Sequence, residues 1–457
     1  MRLPSLTLSL ALALGCLLPS ATLHALEPKD RHVVLISIDG FPAYMWKDPS
    51  LPLPNLRKLA SEGASTEAMT VSNPSITWIN HTTLVTGVSP RKHGVLFNGL
   101  LVRQGPDKPP VIEQWVDKDK LVFAPTIYDL AHAAGLTTAE SDWVAVTRAP
   151  TITWSFPELP SAEGPIEKEM IAKGLLSPEQ VTWFHKGPQG KNIAWRDSTW
   201  TQAAIHMLTE HKPNLLMYHT LNTDANHHRY GPQSWPSYTA LAYADRLIGD
   251  IVASVEKAGM KDRTTYFIAT DHGFKKVQKY AYPNVVLKQA GLVRALGPNI
   301  RQCEAAVITQ GGMAFVYVTD PARRAEFLPR LKELFAQAEG VEKVIDGTEG
   351  PTLGMPSPEE NQGVGDLILY PKPGYAFNGS AAGDLTAGPT ENYAGTHGYL
   401  ASDPELDGIF IASGAGIKPG VVLQRMANLD VAPTIARLLK LEIPNVEGRV
   451  LEEVLVK

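Results

Sequence analysis

HVVLISIDG (32–40) is a nearly unbroken apolar run that stops on an acid and a glycine. Such a run suits a strand buried on both faces, the environment of a parallel sheet, with Asp39 at its carboxyl tip. Outward from it, LPNLRKLASEG (53–63) reads as a helix closed by glycine. APTIYDLAHAAGL (124–136), DSTWTQAAIHMLTEH (197–211) and SYTALAYADRLIGDIVASVEKAG (237–259) read as further helices. TTAESDW, PNLLMYHT (213–220) and RTTYFIATDHG (263–273) read as strands between them. Alternating strand and helix predicts an α/β fold, a doubly wound and mostly parallel sheet with helices on both faces.

The pattern weakens over residues 281–390, where short strand-like pieces (GMAFVYVTD, DLILYP) and one helix (RRAEFLPRLKELFAQAEG) sit among Pro/Gly-rich loops. This stretch is expected to be an inserted α+β subdomain. The core, 26–280 and 391–457, resumes with LDGIFIASG (406–414) and ends on the helix of NLDVAPTIARLLKL (428–441).

The chain has 457 residues, a net charge of −5 and a sequence pI near 6.2. Bulk charge therefore gives no sign of polyanion binding, any affinity for anions must come from a local site, and no nucleic-acid polymer is expected as partner. Residues 1–25, with one Arg, a Leu/Ala run and small residues after it, read as a secretory signal peptide cleaved after Ala25. A periplasmic or secreted enzyme without a membrane span is expected. Lipid anchoring through Cys16, in ALGC, is the minor alternative. Cleavage leaves Cys303 as the sole cysteine, so no intramolecular disulfide is expected.

Active sites of open parallel sheets form at the carboxyl ends of strands. Asp39, then Asp224 and His228 in the loop after PNLLMYHT, then Asp271 and His272, fall there, and GTHGY adds His397 between glycines. Each alone reads as a turn, and His227 competes with His228 as a ligand. Together they suit an oxygen/nitrogen metal centre. Three carboxylates against two divalent ions leave one net positive charge, matched to a phosphodiester anion. SNPSITWINHTTLVTG (72–87) spends hydroxyls and amides where a surface helix would use Glu, Lys and Ala. Thr77 at a helix N-terminus would meet free backbone N–H groups, and Asn80, three residues on, would donate to a phosphate oxygen.

These segments resemble the alkaline phosphatase superfamily and, within it, the type I phosphodiesterase/nucleotide pyrophosphatase family. NPSITWINHTTLVTGVSPRKHGVLFN is similar to that family's nucleophile segment. DGFPAY, DANHHRYGP, TDHGF and GTHGY follow the order of its metal segments, and NLDVAPTIARLLKLEIPNVEGRVL resembles the superfamily's closing helix. The resemblance implies two zinc ions, one on Asp39, Asp271 and His272 with Thr77 beside it, the other on Asp224, His228 and His397. His228, four after its Asp and followed by Arg-Tyr-Gly-Pro, takes the family's ligand place, which makes His227 the bystander. It also implies in-line attack by Thr77, a phosphothreonine, and Asn80 as the phosphate-binding amide.

The sequence departs from many relatives at SDWVAVTRAP (141–150), where Val-Ala-Val follows Trp143 in place of Pro-Gly. Trp78 and Trp143 are candidate stacking faces for a small phosphodiester or nucleotide, and Arg148 a candidate phosphate contact. A phosphate monoesterase on the same centre is the nearest rival, and a secreted non-catalytic binding protein the distant one. A sulfatase is disfavoured because Thr77-Trp78-Ile79-Asn80-His81 lacks its Cys/Ser-x-Pro-x-Arg motif, and a sugar-phosphate mutase by the export signal.

Overall fold

A computed structural model describes residues 26–186 and 191–457; residues 1–25, read from sequence as a signal peptide and including Cys16, lie outside them. The central sheet has eight strands: β1 (His32–Ile38), β2 (Ala64–Thr66), β3 (Thr138–Ser141), β4 (Trp154–Phe156), β5 (Leu215–Thr220), β6 (Thr264–Ala269), β7 (Phe410–Gly414) and β8 (Val421–Leu423). Their order is β8-β2-β7-β6-β1-β5-β3-β4. Strands β6, β1, β5, β3 and β4 are parallel neighbours, and β7 alone opposes both its neighbours.

Helices α1 (Pro54–Glu62), α2 (Thr77–Thr86), α3 (Ile127–Ala133), α4 (Pro165–Ala172), α5 (Ile193–His206), α6 (Asn222–Tyr230), α7 (Trp235–Lys257) and α8 (Val431–Leu438) cover it. The alternation of β1 assigns the layers. Val34, Ile36 and Ile38 share a core with Leu56 of α1, Trp200 of α5 and Ile248 of α7. Val33 and Leu35 share the opposite core with Leu84 of α2, Ile127 of α3 and Ile435 of α8. Every β1 side chain is buried. At about 1.5–3 kcal/mol for each large aliphatic group, this strand is the best-anchored platform available for Asp39.

Within the stretch read as an insertion, Ala305–Thr309, Ala314–Val318, Leu367–Pro371 and Val341–Asp346 form a four-stranded antiparallel sheet. The helix Arg324–Ala336 lays Phe327, Leu331 and Phe335 on it. Lys275-Lys276 pairs with Gly395-Thr396 where the chain leaves for this unit and returns from it.

One expectation needs correction. Residues 222–230, read as a loop, are helix α6. Asn, Asp and His are poor helix formers. The helix is started instead by a partner distant in sequence: the Asp197 carboxylate accepts from Leu221 N (3.0 Å) and Asn222 N (3.1 Å), satisfying N–H groups that a helix start leaves free. Asp197→Ala should therefore lower unfolding free energy by about 1–2 kcal/mol, and Asp197→Asn should recover only part of it, because its one acceptor oxygen replaces two and its NH2 faces the second backbone N–H, as urea denaturation of both variants will show.

Candidate active site

Asp39, Thr220 and Ala269 end or directly follow β1, β5 and β6, the three adjacent central strands, and the candidate residues gather above those ends. Asp39 is fully buried behind β1. Gly40 turns the chain with φ +68°, and a β-carbon there would lie 3.0 Å from the Phe274 ring, so a side chain is excluded on both counts. Asp271 follows β6; its Oδ1 accepts from Gly40 N and His272 N, both at 3.0 Å, which leaves Oδ2 without a partner. Asp39 Oδ2 lies 3.1 Å from His219 Nε2, and Asp39 Oδ1 has no hydrogen-bond partner among the described residues. Asp224 Oδ1 is likewise without a hydrogen bond. It lies 3.3 Å from His228 Nε2 and 3.7 Å from His397 Nε2.

The imidazoles are oriented the same way. His228 Nδ1 is 2.9 Å from Gly395 O, His397 Nδ1 2.9 Å from Ser75 O, and His272 Nδ1 3.1 Å from Gly273 O. With each Nδ1–H donated to a carbonyl, every Nε2 is aimed at the centre, the orientation that metal-ligating histidines adopt. The His272 and His397 rings stack at 3.6 Å. His272 Nε2 is 3.1 Å from Asp271 Oδ2, 3.4 Å from Asp39 Oδ1 and 3.3 Å from Thr77 Oγ1. Ligand atoms of Asp224, His228 and His397 lie within 4.8 Å of one another, as do those of Asp39, Asp224 and His272. His227 turns away, its Nδ1 3.0 Å from Gly40 O.

Buried carboxylate oxygens without a hydrogen-bond partner among the described residues, facing inward-aimed imidazole nitrogens, are the donor set of a divalent cation, and the residues fit one. Burial, then the nearby Asp224 charge, pushes the Asp39 carboxyl up to about 7. Burial, then Asp39, raises Asp271 well above the carboxylate range. Burial disfavours the ionised Asp224, yet the attraction of the neighbouring His228, which Asp224 in turn raises, outweighs it and holds that carboxyl down. Burial and then His397 depress His272, and burial and then His228 depress His397 to about 4, which keeps both neutral.

Thr77 is the first residue of α2 and largely buried. Asn80 does not do what the sequence suggests. It is fully buried; its Nδ2 donates to the carbonyls of Ile76 (3.0 Å) and Pro74 (3.1 Å), and its Oδ1 accepts from Ser72 N (2.7 Å) and Asn428 Nδ2 (2.8 Å). With no donor left for a phosphate, Asn80 clamps the 72–76 loop that carries Thr77. The amide sequence reasoning missed is Asn98, the last residue of GVLFN. Its Oδ1 accepts from Trp78 N at 3.1 Å, its Nδ2 donates to none of the described residues, and it lines a cavity of about 330 Å³ together with His228 and His397.

His81 and His219 were also missed. His81 Nδ1 is 2.8 Å from Thr77 O, and its ring packs between Trp143 and His219. His219 lies inside an apolar strand, with Asp142 on its other side at 3.2 Å. Burial disfavours its charge, but Asp142 and Asp39 outweigh that and lift it well above the histidine range. Trp78 and Trp143 line a second cavity of about 330 Å³ with Trp115 and Arg148. The Arg148 guanidinium is exposed and paired with Asp117, so it is not among the residues gathered around Thr77.

The sequence profile described as Type I phosphodiesterase / nucleotide pyrophosphatase matches residues 33–400. The chain belongs to that family. Type I phosphodiesterases are metal-dependent hydrolases of phosphoric ester bonds, in keeping with the donor set above. The chain is 25% identical over 459 residues to ectonucleotide pyrophosphatase/phosphodiesterase family member 7 of Homo sapiens, spanning 96% of this chain and 86% of that one. The Rattus norvegicus protein of the same name is 23% identical over 446 residues, spanning 94% and 88%. A venom phosphodiesterase of Macrovipera lebetinus is 23% identical over 250 residues, 54% of this chain and 26% of its own. Murine ectonucleotide pyrophosphatase/phosphodiesterase 5, solved as an inactive threonine-to-alanine variant in complex with AMP, superposes with a TM-score of 0.70 at 17% identity, covering 93% of this chain and all of that one. The shared fold is alkaline-phosphatase-like.

The two asparagines should separate in type I phosphodiesterase assays. Asn98→Ala should cut kcat/KM by about 10²-fold or more, as loss of one charge-stabilising donor does, with only a modest fall in thermal midpoint from the lost Trp78 N acceptor. Asn80→Ala should lower the thermal midpoint first, because it leaves buried groups unpaired.

Proposed function

We propose that this chain is an exported two-zinc phosphodiesterase or nucleotide pyrophosphatase that works through a phosphothreonine at Thr77. The reading is carried by one observation: three partnerless carboxylate oxygens and three imidazole Nε2 atoms converge beside the Thr77 hydroxyl. Asp39, Asp271 and His272 would hold one ion, and Asp224, His228 and His397 the other. Bound divalent cations supply charge neutralisation and a lowered pKa for a nearby hydroxyl.

The protein's own contribution is positional. Thr77, fixed in the first turn of α2, offers Oγ1 to phosphorus with the free N–H groups of that turn around it. The Oγ1–P bond forms, the Oγ1 proton passing to solvent, as the opposite P–O bond breaks and the leaving oxygen departs with the electron pair. Water then attacks the phosphothreonine and restores the hydroxyl. Asn98 is placed to donate to a non-bridging oxygen throughout.

Neither Lys nor Arg is among the residues lining the cavity at His228 and His397. Nothing there matches the second negative charge of a monoester, which favours diesters and pyrophosphates. Trp78, Trp115 and Trp143 offer aromatic faces to a nucleotide or other aromatic leaving group. The 1–25 segment supports a periplasmic or secreted location, and among the described residues no helix is long and apolar enough to cross a membrane.

Thr77→Ala should lose about 10³-fold or more of turnover with an unchanged circular dichroism spectrum. His228→Ala should lose over about 100-fold, beyond the range seen for outer-shell partners, and far more than His227→Ala. Hydrolysis of bis-p-nitrophenyl phosphate should outpace that of p-nitrophenyl phosphate; the reverse order would move the assignment to a monoesterase.

A further inference from the structure

A second constellation of metal-ligating side chains lies away from the site. Glu169, His206 and His211 bring ligand atoms within 4.8 Å of one another. His206 Nε2 is 2.9 Å, and His211 Nε2 2.7 Å, from the same oxygen, Glu169 Oε2. Glu169 lies on α4, and His206 is the last residue of α5. Asp197, which caps α6, is nine residues back along α5, about 13 Å at 1.5 Å per residue. His211 precedes β5, whose opposite end leads into the catalytic centre.

The local backbone makes this convergence possible. Residues five apart on an α-helix are turned about 140° from one another and cannot share a ligand. Here Met207–His211 is a π-turn, and Lys212 N bonds Met207 O in the five-residue spacing. The wider π-turn narrows that angle, and both imidazoles reach one carboxylate. Such insertions are uncommon and concentrate at functional sites. The His206 ring is buried, and the His211 ring packs 4.7 Å from Trp154 of β4, so both are held in place. Glu169 and His211 remain partly open to solvent, which leaves an entry path and room for water as a fourth ligand.

We propose that Glu169, His206 and His211 form a separate binding site for a borderline divalent cation of the zinc class, which staples α4 to the α5–β5 connection. Two imidazoles and one carboxylate with an open position is a donor set that zinc accepts, and it selects against calcium and magnesium, which take oxygen ligands. The role is structural: cross-linking two helices raises the stability of this edge without touching the chemistry.

The test uses the full chain in its metal-loaded form. Wild type, His211→Ala and Glu169→Gln are equilibrated in low-micromolar free zinc, desalted, and their zinc-to-protein ratios measured. Both substituted positions are partly exposed, and the two substitutions sit on different helices. Each variant should carry one equivalent less than wild type at unchanged turnover, and added zinc should raise the thermal midpoint of wild type more than that of either variant. Equal zinc content in all three proteins would overturn the proposal, and it would do so whatever metal the catalytic residues retain.

Discussion

Asp39 and Asp271 are buried where adjacent strands end, Asp224 reaches them from the first turn of α6, and each keeps an oxygen without a hydrogen-bond partner among the described residues. Without a cation this arrangement is unfavourable, which is why Asp39 and Asp271 are pushed towards their protonated forms. The fold holds them there regardless. β1 is the centre of the parallel run and is buried on both faces, so Asp39 has no room to withdraw. Asp271 is pinned from the other side by two backbone N–H groups. What the rigid sheet cannot relieve, bound positive charge must.

The surrounding residues prepare the centre for that charge. Three histidines are locked through Nδ1 onto backbone carbonyls, so ligand orientation is fixed before any cation arrives. The ion pair of His219 with Asp39 and Asp142 leaves one Asp39 oxygen free and occupies the other. Asp197 sets the start of α6 and thereby the i,i+4 alignment of Asp224 with His228. On the open side, Thr309 and Gln310, from the stretch read as an insertion, line the cavity with Asn98 and His397, so residues outside the central sheet shape what enters.

Much of this was legible in the sequence because it is local. The apolar run of β1 and the Asp-Gly and Asp-His-Gly tips are short-range patterns with direct structural meaning, whereas His228 was preferred to His227 only through the resemblance to the family's segment. Asn80 misled because residue type and helical spacing do not reveal which groups a side chain already serves. Its donors are consumed by carbonyls four and six residues back, and its acceptor by Asn428 across the fold. Asn98 lay within the quoted segment, but only folding returns it to the α2 N-terminus. Helix α6 was missed because its start depends on Asp197. His219 was hidden in an apolar strand, and the Glu169 pair of histidines depends on a π-turn that composition does not announce.

The central claim is that the two donor sets, Asp39/Asp271/His272 and Asp224/His228/His397, each hold one divalent cation beside Thr77. Anomalous diffraction recorded on either side of the zinc absorption edge, from crystals grown without chelator, tests this directly. The account predicts two edge-dependent peaks, one within bonding distance of each set. A well-ordered map with Thr77 in place and neither peak, from protein that still hydrolyses a phosphodiester, would contradict it.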